Sequence, residues 1–291
     1  MKPPAFAYCA PATVEEALDV LAEHDGAKVL AGGQSLIPLL NMRLAAPDLL
    51  VDITRIAGLD RIDIDAGEVR IGATATHEQV RRHPGIASAV PLVTEALGWV
   101  AHPVIRNRGT AVGSIVHADP AAELPAVLTL LGGYVQVLSA SGRRDVAASD
   151  FFVGPMESDV RPGELVAAAA VPRPSMPTRT AFVELARRHG DYALAGVGVR
   201  LTLAADDTVH TAAAVCIGTD PTPRVIDLTA DLAGQPVGML EAEASIATLR
   251  SVIEPETDVH ATGDYRRHLA GVLLGRALTQ AGAKPAGKEA A

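Results

Sequence analysis

The sequence is poor in the residues that metal clusters, nucleic acids and membranes require. Cys9 and Cys216 are the only cysteines in 291 residues, which excludes a disulfide framework and is too few for the four thiolates of an iron–sulfur cluster. Aromatic residues make up 3%, and 34 acidic against 25 basic side chains give a net charge of −9. Such a chain repels polyanions and has little with which to stack on bases, so nucleic acid is excluded as a partner.

Targeting and nucleotide-binding signatures are also missing. No apolar run approaches the ~18 residues that span a bilayer, and the first residues lack a signal-peptide pattern, so we expect a cytoplasmic protein without a membrane span. There is no P-loop motif, and the only G-x-G, at Gly196 and Gly198, lacks the third glycine of a Rossmann fingerprint.

The histidines show no metal-ligand spacing, and neither a Ser-His-Asp nor a Cys-His arrangement is evident. We therefore assign no catalytic residue and no metal ligand. The histidines considered are His24, His77, His83, His102, His117 and His189.

The most informative stretch is residues 27–44, AKVLAGGQSLIPLLNMRL. An apolar strand end precedes Gly32 and Gly33, which tolerate backbone angles that a Cβ resists. Ser35 then predicts a helix N-cap, and Pro38 favours the start of that helix. Backbone N–H groups without partners converge at such a turn, so the first loop, residues 30–37, is predicted to bind an anion such as a pyrophosphate. A Gly-Gly turn that binds nothing is the alternative.

A second small-residue turn follows at residues 109–114, which we call the second loop. Gly109, Thr110, Gly113 and Ser114 offer hydroxyl and amide donors, and Asp119 with Pro120 predicts the N-cap and first residue of a helix. Two such loops could face one extended dinucleotide. Glu123 lies one position beyond a capping-box site, so it either accepts hydrogen bonds from ligand hydroxyls or is a solvated acid near a helix start.

The rest of the chain predicts short alternating helices and strands without a long internal repeat. Thr13 begins a capping box before an amphipathic helix, residues 171–179 (VPRPSMPTR) form a linker, and a tail follows residue 281. Strands are expected at 47–53, 67–74, 196–205 and 209–217, and helices at 77–82, 92–99 and 265–280.

These two loops carry a resemblance to a known family. The segments AGGQSLIPLLNMRL, PDLLVDI and IRNRGTAVGSIVHADPAAELP resemble the flavin-binding loops of the FAD-binding medium subunits of molybdenum hydroxylases, the family of carbon monoxide and xanthine dehydrogenases. The similarity continues in collinear order over nearly the whole chain, through DFFVG at 150–154, GELV at 163–166, ARRHGDYA at 186–193 and YRRHL at 265–269.

The resemblance implies an α+β fold of two domains. Residues 1–174 would form an FAD-binding domain of two α/β subdomains, of the vanillyl-alcohol-oxidase type, and residues 178–281 an α+β domain with an antiparallel sheet. Residues 282–291 are expected to be a disordered tail.

The resemblance also implies the FAD contacts. The first loop would wrap the pyrophosphate, the second loop would complete the cradle, Glu123 would bind the hydroxylated chain or ribose, and Tyr192 would cover the isoalloxazine ring, although an ordinary core tyrosine is the alternative. The implied cofactor-binding residues are Leu30, Ala31, Gly32, Gly33, Gln34, Ser35, Leu36, Ile37, Val100, Ala101, Thr110, Ala111, Gly113, Ser114, Glu123, Leu165, Val166 and Tyr192.

Three positions depart from the family pattern. Val112 replaces the first of two glycines in the second loop, so its β-branched side chain must point away from the phosphates. Val183 stands where xanthine-oxidising relatives have a lysine near the flavin, which argues against a nicotinamide acceptor. Gln34 replaces a histidine of carbon monoxide dehydrogenases, which favours a heterocycle or aldehyde substrate.

The function implied is an electron-transfer subunit that carries FAD. A large subunit with molybdopterin cytosine dinucleotide and a small subunit with 2Fe-2S clusters would be its partners, assembled as a dimer of heterotrimers. Two alternatives stay open: a self-sufficient flavin dehydrogenase or oxidase, and a scaffold that has lost its flavin.

Overall fold

A computed structural model describes residues 1–283. The strands are β1 (Ala7–Cys9), β2 (Ala27–Leu30), β3 (Leu49–Asp52), β4 (Ile62–Ile64), β5 (Glu68–Gly72), β6 (Tyr134–Ser139), β7 (Gly142–Ala147), β8 (Phe152–Gly154), β9 (Glu157–Ser158), β10 (Leu165–Pro172), β11 (Thr178–Ala186), β12 (Ala193–Leu203), β13 (Val209–Ile217) and β14 (Val225–Asp227). The helices are α1 (Val14–Glu23), α2 (Leu36–Met42), α3 (His77–Arg82), α4 (Pro84–Ala89), α5 (Pro91–Leu97), α6 (Pro103–Arg106), α7 (Ala111–His117), α8 (Glu123–Leu130), α9 (Ala148–Phe151), α10 (Thr229–Leu232), α11 (Glu243–Val252) and α12 (Gly263–Ala283), with a 3-10 turn at Val237–Met239.

The first subdomain is a parallel three-stranded sheet in the order β1-β3-β2. Helix α1 contacts its central strand and begins as predicted, because the Thr13 hydroxyl accepts from the Glu16 N–H at 3.1 Å while Glu16 accepts from the Ala12 N–H at 2.7 Å. Leu18 and Leu21 lie on its buried face. The first loop leaves this sheet at the end of β2 and leads directly into α2.

The second subdomain is an antiparallel five-stranded sheet in the order β4-β5-β10-β6-β7. Strand β10 is central although it comes last in the chain, and it is buried from Leu165 through Val171. Helices α3, α4, α5, α7 and α8 share a core with this sheet. The second loop follows α6 and includes the first turn of α7.

The C-terminal sheet, β11-β12-β13-β14, is antiparallel and has a different core on each face. Phe182, Val215 and Ile217 join the core of the second subdomain. Val197 and Val199 join a separate core with α11 and α12. The sheet therefore connects the region that carries the second loop to the C-terminal helices, and the predicted α+β architecture with an antiparallel C-terminal sheet is confirmed.

Helix α12 matches the predicted terminal helix but extends further in both directions, from Gly263 to Ala283. Leu269, Leu273 and Ala277 are buried in the core that it forms with the sheet, which stabilises each leucine by about 1.5–3 kcal/mol. These residues are therefore not available as a docking face for a partner. Of the predicted tail 282–291, residues 282 and 283 belong to α12, and residues 284–291 lie outside the described residues.

One predicted helix start is wrong. Asp119 and Pro120 do not begin α8, which starts at Glu123 with Ala122 as its N-cap. The Asp119 carboxylate accepts instead from the Ala121 N–H at 2.8 Å, a local turn that competes with helix formation. Ala122 is then extended, with ψ at 141°, and the helix begins three residues later than Pro120.

Candidate functional site

The first and second loops are in contact, and Gly32 makes that contact possible. A Cβ on Gly32 would lie 2.3 Å from the Arg108 carbonyl oxygen and 2.7 Å from the Gly109 Cα. Both atoms belong to the backbone that enters the second loop, so no rotamer change could relieve the clash. The structure thus brings together the two segments that the sequence predicted to face one ligand.

Backbone donors of the first loop are left without protein partners. Across residues 1–283, no protein group accepts from the N–H of Gly32, Gly33, Gln34 or Ser35. Gly33 adopts φ +70°, and the Gln34 amide donates back to the Gly32 carbonyl at 3.0 Å. This loop can bind an anion through main-chain N–H groups.

Ser35 does not play the predicted capping role. It stands at the N-cap of α2 in an αR conformation, and its hydroxyl accepts no helix N–H. The prediction that Ser35 caps the helix is therefore wrong.

The second loop forms backbone hydrogen bonds with the segment that leads into α3. The Ala111 N–H donates to the Ala75 carbonyl at 3.0 Å, and the His77 N–H donates to the Gly109 carbonyl at 2.9 Å. Thr110 caps α7 by accepting from the Gly113 N–H at 3.1 Å. The Gly113 N–H is therefore engaged within the protein, and a ligand would meet the other groups of this turn.

Val112 points into the core of the second subdomain and is only 2% exposed. Its β-branched side chain thus faces away from the loop surface. Ala111 is buried in the same core. The departure at Val112 leaves the surface of the second loop unobstructed, which removes the reason to regard the chain as a scaffold without flavin.

Arg106 holds the segment of Val100 and Ala101. It is 9% exposed, and its Nη1 donates to the Val100 carbonyl at 2.7 Å and to the Ala101 carbonyl at 2.8 Å. Its Nε lies 3.3 Å from the Glu78 carboxylate. Ala101 has φ +40°, a conformation rare for residues with a Cβ, so these hydrogen bonds keep the segment in a conformation that it would not favour alone.

Replacement of Arg106 by methionine is expected to lower the free energy of unfolding by about 3 kcal/mol, because two carbonyl groups lose a charged donor. Urea denaturation measures the change. Arg82→Met is the matched control: Arg82 pairs with the same Glu78 but is exposed, so its loss should cost under about 1 kcal/mol. Equal effects of the two substitutions would contradict this role of Arg106.

The acidic end of the site contains Glu123 and Glu184. Glu123 is the first residue of α8 and is partly exposed; burial of its carboxyl and the nearby Glu184 raise the pKa of Glu123 to about 8. Glu184, on β11, is buried, and burial raises its pKa to about 7. Glu123 therefore lies at the start of α8 with its side chain partly exposed, and its role toward a ligand stays a prediction.

Tyr192 lies on the segment 187–192, between β11 and β12, and is 74% exposed, so it is not a core tyrosine. Partial burial of its hydroxyl, together with Asp119 and Glu123, raises the pKa of the phenol. The same segment approaches residue 102, because a Cβ on Gly190 would lie 2.6 Å from the His102 ring. The C-terminal domain thus presents an exposed aromatic ring near Asp119 and Glu123.

The arginines before Tyr192 are solvated. Arg187 and Arg188 are both exposed.

Several predicted contact residues lie within cores. Leu165 and Val166 are buried at the start of β10, so only their backbone is left for a ligand. Val183 packs against the core shared by the C-terminal sheet and α12, on the opposite face from Phe182. Val183 therefore does not face the site, and the absence of a lysine at this position gives no information about the electron acceptor.

The remaining residues of the first loop connect the sheet to α2. The Leu30 carbonyl accepts from the Ile53 N–H at 3.0 Å, and the Gly33 carbonyl accepts from the Ile37 N–H at 3.0 Å. Ala31 and Leu36 are partly buried, whereas Ile37 is exposed. Ser114 follows Gly113 in the first turn of α7, where its N–H donates to the Thr110 carbonyl at 3.1 Å.

Sequence reasoning did not identify Arg106 or Glu184. Each is a charged residue whose burial depends on elements far away in the chain: Arg106 pairs with Glu78 on α3, and Glu184 acts on Glu123 of α8. The sequence predictions include no strand at residues 178–186; a strand prediction for the apolar segment FVELA would have drawn attention to Glu184 as a charged residue within it.

Comparisons with known proteins agree with this arrangement. The family described as FAD binding domain in molybdopterin dehydrogenase matches residues 4–174, and the family described as CO dehydrogenase flavoprotein C-terminal domain matches residues 180–281. The chain is 37% identical over 284 residues to the nicotine 6-hydroxylase medium subunit of Paenarthrobacter nicotinovorans, covering 98% of this chain and 100% of that protein. It is also 37% identical to the caffeine dehydrogenase subunit beta of Pseudomonas sp. (strain CBB1), covering 97% of this chain and 96% of that protein.

Solved structures share the whole fold. Carbon monoxide dehydrogenase from Hydrogenophaga pseudoflava superposes with a TM-score of 0.91 at 33% identity, over 97% of this chain and 98% of that chain. Quinoline 2-oxidoreductase from Pseudomonas putida 86 gives a TM-score of 0.90 at 34% identity, over the same shares. No helix among residues 1–283 is both long and apolar enough to cross a membrane. The chain belongs to the family of FAD-binding medium subunits of molybdenum hydroxylases, which includes the carbon monoxide dehydrogenase medium chains.

Proposed function

We propose that this chain is the electron-transfer subunit of a molybdenum-containing hydroxylase or dehydrogenase. When bound, FAD supplies the redox chemistry, taking up electrons delivered by iron–sulfur clusters of a partner and passing them to an external acceptor. The chain itself binds and shields the cofactor. In this proposal residues 1–174 are the FAD-binding domain, residues 178–281 are the C-terminal domain, and the protein works in the cytoplasm.

The contact of the two loops at Gly32 is the observation that carries the proposal. It places the free N–H groups of the first loop beside the second loop without an intervening side chain. An extended diphosphate has the charge and the narrow shape that such a site accepts. The residues present therefore fit FAD.

The proposed contacts follow from this arrangement. Gly32, Gly33, Gln34 and Ser35 donate their N–H groups to the pyrophosphate, while Leu30, Ala31, Leu36 and Ile37 shape the turn around it. Thr110, Ala111, Gly113 and Ser114 form the opposite wall, with Ala111 contributing only through its backbone. Glu123 accepts from cofactor hydroxyls, Val100 and Ala101 line the adenine side, and Leu165 and Val166 offer backbone contacts.

Tyr192 covers the isoalloxazine ring in this proposal. Its ring is exposed on a segment that touches the second subdomain at His102, and an exposed aromatic face gains stability when it stacks on a planar group. The ring would also exclude water from the flavin.

The proposed partners are a large subunit with molybdopterin cytosine dinucleotide and a small subunit with 2Fe-2S clusters, arranged as a dimer of heterotrimers. The relatives named medium subunit and subunit beta support a multi-subunit assembly. Helix α2 supports it as well, because Ile37, Met42 and Leu44 remain exposed on or just after this helix. Exposed apolar side chains next to the first loop favour this part of the surface as the docking place for an electron donor.

The purified chain is expected to be yellow and to release FAD, not FMN, because a site built from two loops suits a dinucleotide better than a single phosphate. Chromatography of the cofactor released by heat identifies it. Reconstitution of stripped protein with FAD and with FMN in parallel is the control. Preferential binding of FMN, or no flavin after reconstitution, would contradict the proposal.

A further inference from the structure

Arg266, near the start of α12, is a buried cation that the proposed contacts leave unexplained. It is 7% exposed, and its Nη1 donates to the Leu194 carbonyl at 2.5 Å and to the Gly218 carbonyl at 3.2 Å. Its Nη2 donates to the Asp258 carboxylate at 2.7 Å. The guanidinium is thus fixed by three acceptors, and Asp258 balances its charge.

The Leu194 carbonyl belongs to a bulge in β12. The register of β12 with β11 shifts between Leu185 and Ala186, and Leu194 is the residue that the shift skips. A bulged residue is left out of the ladder, so its polar groups need another partner, and the bulge re-aims the neighbouring side chains. Arg266 is that partner for the carbonyl. It therefore stabilises the backbone two residues after Tyr192, where the chain enters the sheet.

The Gly218 carbonyl lies one residue beyond the end of β13. Gly218 adopts φ +70°, and a Cβ there would lie 2.9 Å from the Leu194 carbonyl oxygen, so a glycine is needed for the two carbonyls to converge on one donor. The Gly218 N–H donates to the Pro120 carbonyl at 2.9 Å. Pro120 precedes α8 by three residues, so the same guanidinium is coupled to the turn that leads to Glu123.

We propose that Arg266 is a positioning residue for FAD: through Leu194 and Gly218 it fixes the backbone beside Tyr192 relative to the backbone that leads to Glu123. The inference rests on the proposed FAD site, in which Tyr192 and Glu123 contact the cofactor from different domains. Because these segments are ordered before the cofactor arrives, binding does not bear the entropic cost of ordering them.

The segment 187–192 also contacts the second subdomain at Trp99, which allows its position to be followed. Trp99 is the only tryptophan of the chain, and its ring centroid lies 6.5 Å from that of His189. Its indole N–H donates to the Phe182 carbonyl at 3.2 Å. Release of the segment should expose the indole to solvent, and acrylamide quenching of Trp99 fluorescence measures this without any flavin.

The test is a titration of the full-length protein with FAD, followed by flavin fluorescence. Arg266→Met removes the donor from both carbonyls, so the segment that carries Tyr192 must be ordered when FAD binds. Ordering one backbone residue at that stage raises the dissociation constant by about 5- to 30-fold. The bound flavin should also fluoresce more strongly than in the wild type, because a tyrosine ring stacked on the isoalloxazine quenches its emission.

A double-mutant cycle separates this role from a merely structural one. If Arg266 acts through Tyr192, Arg266→Met should lose most of its effect on FAD affinity in a Tyr192→Ala background. Leu273→Ala is the matched control: it truncates a buried side chain of the same helix away from both carbonyls, and the folded variant should keep the wild-type affinity and flavin fluorescence. Full additivity in the cycle, or unchanged affinity and fluorescence in Arg266→Met, would overturn the proposal.

Asp258→Ala keeps the test decisive if Arg266→Met does not fold. The Asp258 side chain is 48% exposed, and its loss loosens the guanidinium, so the dissociation constant should rise by a smaller factor; an unchanged value would count against the proposal. If the wild type binds no FAD, the proposed function fails. Acrylamide quenching in the flavin-free proteins then decides the inference: stronger quenching of Trp99 in Arg266→Met supports it, and quenching equal to that of the wild type refutes it.

Discussion

A valine at position 32 is expected to abolish the retention of FAD through purification while the chain stays folded. The Cβ alone would lie 2.3 Å from the Arg108 carbonyl oxygen, so the two loops must move apart. Overpacking of this kind costs about 1–3 kcal/mol, which corresponds to a roughly 5- to 150-fold loss of affinity if the strain is relieved in the unliganded protein. The ratio of flavin absorbance to protein absorbance measures retention.

Gly33 provides a comparison within the same loop. Its φ of +70° disfavours any residue with a Cβ, but the nearest atoms to an added Cβ belong to the side chains of Ile37 and Leu30, at 3.1 and 3.2 Å. Side chains can change rotamer to make room for a Cβ, whereas the backbone of the second loop cannot. Gly33→Ala should therefore reduce the affinity less than Gly32→Val, whereas Gly33→Val should also lose the flavin because β-branching adds bulk and restricts the turn.

Gly67→Ala is the control for the cost of removing a glycine. An added Cβ at Gly67 would meet only the Asp65 side chain, at 3.6 Å, in the turn between β4 and β5. This variant should retain FAD like the wild type. Full flavin content in a folded Gly32→Val protein would show that the contact between the loops does not form the FAD site.

The loops could be predicted from the sequence because their signals are local. Gly32 and Gly33 follow an apolar strand end, and Thr110 caps α7 through Gly113, three residues away. Such short-range hydrogen bonds depend on residue type and spacing, which a sequence displays directly. A local signal also gave the wrong assignment at Asp119. Its carboxylate could cap a helix or close an Asx turn, and in the structure it forms the Asx turn with the Ala121 N–H.

Burial of charge could not be predicted in this way. Arg106 looks like a surface residue in a polar segment, yet it reaches two carbonyls and Glu78, which is 28 positions away. Glu184 looks like the solvent-facing member of an alternating strand, but β11 is covered on both faces. Only the packing of the C-terminal sheet against α5 and α8 excludes water from this face. Alternation along a strand reports a half-buried sheet and fails where both faces are covered.

The proposed division of labour predicts that the isolated chain cannot oxidise a substrate. Its two cysteines cannot ligate an iron–sulfur cluster, and Cys216 is buried with its pKa raised to about 12 by that burial, which makes it a poor thiolate. Purified alone and loaded with FAD, the protein should accept electrons from an artificial donor but show no turnover of N-heterocycles or aldehydes. Assays of substrate loss under both conditions measure this.

The assembled complex supplies the matched comparison. With its partners, the wild-type chain should support oxidation of the complex's substrate with a flavin-dependent acceptor. A complex containing Gly32→Val should lose that electron transfer, while substrate still bleaches the visible absorbance of the partner's iron–sulfur clusters, because only the last step needs the flavin. Loss of both signals would mean that the substitution disturbs assembly, which gel filtration of the complex detects. Substrate oxidation by the metal-free chain alone would instead identify a self-sufficient flavoenzyme, since electrons would then enter the flavin without a molybdenum partner.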